Sequence, residues 1–173
     1  MCRAGHFHIL RGMSVEKRLD SGMKFIADTM LGRLAKWLRI LGYDTLYPGD
    51  ESDQRLARIA AEEGRILLTR DTELASRKGF RKLLVRSNRL SEQLAQVIEA
   101  FSLRAHDRAL SLCLICNEPL REVEKEAVRD RVPPYVFETQ PLFYECPRCR
   151  KVYWAGTHLD HIRRELKRIG SAL

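Results

Sequence analysis

Between residues 24 and 86, four short apolar runs, KFIAD, DTLY, RILLT and KLLVR, alternate with segments whose apolar residues recur at helical spacing. Few folds accept that alternation. Strands separated by helices predict βαβ units and a parallel sheet. The first helical segment carries Leu31, Leu34, Ala35, Leu38 and Leu41 at inward positions, with Arg33, Lys36 and Arg39 on its other faces and Gly42 as a C-terminal stop. A second helix is predicted over 53–64, with Leu56, Ile59 and Ala60 inward and Gly64 closing it. TELASRKG predicts a short helix or turn, and residues 90–103 a long amphipathic helix. Right-handed crossovers then gather the carboxyl ends of all four strands on one edge, where open α/β sheets bind their ligands.

The formal charge of +8 and the isoelectric point near 9.5 favour an anionic partner, nucleic acid first among them. The excess is spread along the chain, so a basic face has to be assembled by folding. No apolar run approaches the ~20 residues of a membrane helix. Residues 1–22 lack the apolar stretch and small-residue cleavage site of a secretory signal and read as a loosely ordered extension. A cytoplasmic protein with no membrane partner and no organic cofactor is the expectation. After residue 104 the βα rhythm gives way to short apolar pieces, cysteine pairs and Pro133–Pro134, which divides the chain into 1–22, 23–104 and 105–173.

Three of the predicted elements present carboxylates to one rim: Asp28 after the first strand, Asp53 (with Asp50 close by) after the second, and Asp71 after the third. Clustered carboxylates repel one another unless a cation sits among them. Hard oxygens suit Mg²⁺ or Mn²⁺, which keep waters and bind substrate phosphates. Such a metal activates water and neutralises charge growing on a phosphodiester. Each of these aspartates also stands where a helix N-cap is expected, which is the plainer use of the residue type. Arg33, Arg70, Arg77, Lys78, Arg81 and Lys82 are candidates for phosphate contacts near the same rim. For most of them a solvated surface is the alternative.

Cys113/Cys116 and Cys146/Cys149 form two C-x-x-C knuckles, each able to present two thiolates to one tetrahedral zinc. Four sulfurs leave no open position, so the site is expected to be structural. FYEC and KVYWAG look like short strands of a zinc ribbon. His158 is a candidate nucleic-acid contact or hydrogen-bonded structural residue. Tyr153 and Trp154 could stack on bases or pack a small core. The closing HIRRELKRIG predicts a short basic helix.

ADTMLGRLAKWLRILGYDTLY, EEGRILLTRD, CLICNEPL and FYECPRCRKVYWAGTHLDHI, in that order, resemble the Mut-seven C-terminal RNase domain family over roughly residues 23–162. The resemblance implies a PIN-like three-layer α/β/α domain followed by a β-rich zinc ribbon, acting as a metal-dependent ribonuclease. Carried over by position, the acids of a PIN site are Asp28, Asp53 and Asp71, with Asp50 as a further ligand candidate. Where such nucleases often carry a fourth acid the chain reads VRSNRL, without a carboxylate, which bears on whether a second metal binds. The competing reading is a non-catalytic RNA- or ribosome-binding module that keeps the acids as helix caps. A toxin-like PIN protein with an antitoxin partner fits less well, because of the fused ribbon.

Overall fold

The structure is a computed structural model and describes residues 22–103 and 110–155. The predicted 1–22 extension (except Gly22), His158 and the closing basic segment lie outside the described residues.

In chain order the first unit comprises β1 (Lys24–Ala27), a 3-10 turn (Thr29–Leu31), α1 (Gly32–Ile40), β2 (Asp44–Leu46), α2 (Asp53–Glu62), β3 (Ile66–Thr69), α3 (Thr72–Ser76), β4 (Lys82–Leu84) and α4 (Leu90–Phe101). The four strands make one parallel sheet in the order β2-β1-β3-β4. Successive side chains of a strand point to opposite faces. Phe25, Ala27, Ile66 and Leu68 therefore pack on one side, with Leu34, Leu38, Leu94 and Val97 of α1 and α4. Ile26 and Leu67 point the other way, onto Leu56, Ala60 and Leu74 of α2 and α3. Burial on both faces explains why these strands are apolar throughout rather than alternating. The result is the expected three-layer α/β/α arrangement.

Helix ends follow local chemistry. Gly42 adopts φ +94° after α1, its N–H donating to the Arg39 carbonyl while the Tyr43 N–H donates to the Leu38 carbonyl. This is a Schellman closure, which a left-handed glycine makes at low cost.

The second unit holds β5 (Arg121–Val123), β6 (Phe143–Glu145) and β7 (Val152–Trp154), antiparallel in that order. Between β5 and β6 the chain inserts a 3-10 helix (Lys125–Arg131) and α5 (Pro134–Thr139), with Pro133 preceding the helix and Pro134 inside its first turn. Val128, Val132 and Phe143 form its core, with Trp154 and Phe137 packed against it. Trp154 therefore serves the core. No helix among the described residues is long and apolar enough to cross a membrane.

Candidate functional site

Strand order places the reversal of winding between β1 and β3, and the crevice beyond the carboxyl ends at such a switch point is where doubly wound sheets bind ligands. Asp28 and Asp71 stand at those two strand ends. Asp28 is buried, 5% exposed. Its Oδ1 accepts from the Met30 N–H at 2.7 Å; its Oδ2 accepts from the Arg70 N–H at 3.2 Å and from the Thr69 hydroxyl. The same hydroxyl accepts from the Asp71 N–H at 2.9 Å. Thr69 is thus a clasp between the two acids. No motif marks Thr69 in the sequence; the available signal is its hydroxyl, the polar group nearest the end of an otherwise apolar strand.

Asp71 caps α3, its Oδ1 accepting from Glu73 and Leu74 N–H groups at 2.6 and 3.0 Å. Asp28 caps the 3-10 turn through Met30. The cap expected at Asp53 belongs instead to Ser52, whose hydroxyl accepts from the Arg55 N–H. Asp53 lies one residue further on, in the first turn of α2, with Oδ2 3.7 Å from Nη2 of Arg77. Asp50 is exposed in the loop before α2. Among the described residues the aspartates do not form a group of three whose oxygens all lie within 4.8 Å of one another. Three direct ligands to one ion are therefore not assembled in this conformation.

The basic residues divide. Arg70 and Arg77 are at the rim, and Arg33 is exposed in the first turn of α1. Arg81 and Lys82 are not at the rim. The register sets Lys82 opposite Leu67 and Leu84 opposite Thr69, so a strand parallel to β3 begins at the far edge of the sheet. Lys82 places its Nζ 5.0 Å from the Phe80 ring centroid. Lys78 is exposed between these two groups. The guanidinium of Arg70 makes no hydrogen bond or ion pair among the described residues, and its Nε is buried.

The four cysteines converge: one sulfur from each lies within 4.8 Å of the others, a set able to hold a zinc ion. Cys113 and Cys149 sulfurs are 3.7 Å apart. A tetrahedron with Zn–S near 2.3 Å has edges of roughly 3.8 Å, so the spacing fits. The two knuckles share one backbone design. Asn117 and Arg150, each just after the second cysteine of its pair, adopt φ +66° and +61° and donate their N–H to the carbonyls of Cys113 and Cys146. In each pair the second cysteine's N–H points at the first one's sulfur.

The thiols respond to this crowding. Burial pushes the Cys113 thiol up, but hydrogen bonds from the Tyr153 hydroxyl and the backbone N–H groups of Cys116 and Ile115 outweigh it and bring the pKa to about 7. Burial and facing cysteines push Cys116 up to about 12. Four thiols cannot all ionise at close quarters without a cation. Tyr153 sits 3.2 Å from the Cys113 sulfur, which assigns its hydroxyl to the knuckle rather than to a base.

Sequence periodicity set Arg39 on an outer face of α1. In the structure it is 3% exposed, because the ribbon docks there. Its Nε donates to the Thr45 carbonyl at 2.8 Å, and its Nη1 to the carbonyls of Leu114 and Ile115, inside the first knuckle, at 2.7 and 3.0 Å. Asn117 completes the joint, donating to Asp44 at 2.6 Å and accepting from the Thr45 N–H at 3.0 Å. Asp44 also takes a two-toothed contact from buried Arg65. Arg39→Met leaves three carbonyls without their cationic donor, and a loss of about 3 kcal/mol is expected from the denaturant midpoint. Burial pushes the Asp44 carboxyl up, but hydrogen bonds from Arg65 and Asn117 and the charges of Arg65 and Lys24 hold it below its ordinary value. A depressed carboxyl stabilises the fold above its unfolded pKa and stops doing so as pH falls through the folded value. Urea midpoints should thus drop below about pH 4, less steeply in Asp44→Asn.

No curated protein and no solved structure matches the chain significantly. A family model described as the Mut7-C RNAse domain matches residues 23–166. That span runs from the residue before β1 past the second knuckle, so it takes in sheet and ribbon as one unit, and the chain belongs to the Mut7-C RNAse domain family.

Proposed function

We propose that this protein is a Mg²⁺- or Mn²⁺-dependent ribonuclease whose reaction centre is the rim at Asp28, Asp71 and Asp53. Residues 23–104 form the catalytic unit and 105–173 the zinc-bearing unit. The observation that carries the reading is the Thr69 clasp, which ties a buried carboxylate and the turn of a second acid together at the switch point of the sheet.

The donor set fits a hard cation. A carboxylate offers about four lone-pair sites. Asp28 uses three, while Asp71 Oδ2 and Asp53 Oδ1 accept no hydrogen bond among the described residues. Mg²⁺ keeps several waters and takes one or two carboxylates. That suits a rim where three carboxylates do not meet at one point. Asp28 and Asp71 would hold the ion, with Asp53 and Asp50 completing the acidic surface. When bound, it supplies an activated water and neutralises charge on the phosphodiester.

The chain's own groups do the rest. Thr69 fixes the separation of the two acids, and the two caps fix their side-chain directions. Among the described residues Arg70 lacks the acceptors that occupy Arg39 and Arg65, which leaves its cation for a phosphate. Arg77 and Arg33 add charge at the same edge.

The test is incubation of labelled RNA with Mn²⁺, comparing wild type with Asp28→Asn and Asp71→Asn. Cleavage confined to the wild type supports the proposal. Equal cleavage by all three reveals a contaminating nuclease and ends it. Binding without cleavage by the wild type favours a non-catalytic RNA-binding module.

A further inference from the structure

An aromatic side chain stands beside the acidic rim in a fixed orientation. β2 pairs with β1 so that Leu46 faces Ile26, which sets Tyr47 level with Ala27, one residue short of Asp28. The Tyr47 hydroxyl donates to the Thr29 carbonyl at 2.9 Å. Its ring lies against Gly32, where an added Cβ would meet Cζ at 2.8 Å and Oη at 2.9 Å. Glycine at the start of α1 costs helix stability, and here it makes room for the ring. Tyr47 is nevertheless 37% exposed, and Met30, whose N–H holds Asp28, is 61% exposed. Tyr47 is thus anchored at its hydroxyl and packed along Gly32, while part of the side chain stays open at a polar edge beside Asp28.

We propose that Tyr47 is a stacking platform for one unpaired nucleobase of the RNA whose phosphate lies at Asp28. This rests on the ribonuclease reading and adds a positioning residue to it. Every base offers a π-face, so such a platform selects an unstacked nucleotide without selecting its identity. Anchoring the ring in advance removes the ordering cost that a free side chain would carry. Tyr47 acts on the base and takes no part in the bond-breaking step.

The experiment measures single-turnover cleavage and binding of short single-stranded oligoribonucleotides, intact and with one abasic position moved along the strand. The proteins are wild type, Tyr47→Ala, Tyr47→Leu and Tyr47→Trp, each checked by thermal melting. Loss of one base–aromatic stack weakens binding by about 5- to 150-fold. Tyr47→Ala and Tyr47→Leu are expected to show that loss with the rate at saturating RNA largely retained, and Tyr47→Trp to restore affinity. One abasic position should weaken binding to the wild type and make no further difference in Tyr47→Leu. Wild-type affinity in a folded Tyr47→Leu, with cleavage intact, overturns the platform and leaves the ribonuclease reading standing. A wild type that neither binds nor cleaves RNA overturns both.

Discussion

Cys146→Ser is expected to abolish stoichiometric zinc binding and to lower the melting temperature of the whole chain. Wild-type protein should carry about one zinc by metal analysis, since one zinc takes four sulfur ligands. Among the described residues the ribbon's core is Val128, Val132 and Phe143 with a few half-buried neighbours, little to hold three three-residue strands unaided. Zinc binding supplies about 10–16 kcal/mol in zinc-finger peptides, and that free energy is folding free energy. The effect should not stop at the ribbon. Arg39 and Asn117 join the first knuckle to α1 and β2, so its collapse leaves a buried guanidinium facing lost acceptors and uncovers β2 at the sheet edge. Proteolysis within 110–155 and a lower melting point for the α/β unit are the expected readouts. Protons compete with zinc for the thiolates, so metal retention should weaken as pH falls. A metal-free protein with unchanged melting would remove the zinc assignment.

Asp28→Asn and Asp71→Asn are expected to cut RNA cleavage by at least about 100-fold, because loss of even an outer partner of a catalytic metal costs 10–100-fold. These substitutions separate two uses of aspartate. Asparagine caps a helix about as well as aspartate does. If Asp71 served α3 alone, Asp71→Asn would fold and cleave like the wild type. Its exposed carboxylate makes that variant the cleaner test. Asp28→Asn keeps an acceptor for Met30 but disturbs the contacts to Thr69 and Arg70, so a cost of about 1–2 kcal/mol accompanies it. Melting curves close to wild type beside lost cleavage identify the carboxylates as ligands. Retained cleavage in a purified Asp71→Asn protein would return Asp71 to a cap.

Much of this was legible in the chain. Apolar runs such as Ile66–Thr69 and the glycines after α1 and α2 marked the strands and helix ends, because burial and backbone sterics act over a few residues. The C-x-x-C pairs announced a four-sulfur site, since ligand type and spacing are local properties. Even the alternation of strand and helix implied that Asp28 and Asp71 would share an edge.

What the letters did not disclose is which polar groups meet across elements. Periodicity assigned Arg39 to an outer face because a helix examined alone has only one covered side; the docked ribbon supplied a second. Nothing in the DTLY run foretells that Arg65 and Asn117, distant in the chain, close on Asp44. Lys82 looked like part of a basic strip beside Asp71, until the parallel register carried it to the far edge. The local sequence thus determined the elements, their apolar faces and the thiol pairs, while tertiary structure alone decided the Thr69 clasp, the seat of Arg39 and the spread of the aspartates. Hydrogen bonds between chain segments depend on ångström-scale approach, and no pattern within one segment encodes the position of its partner.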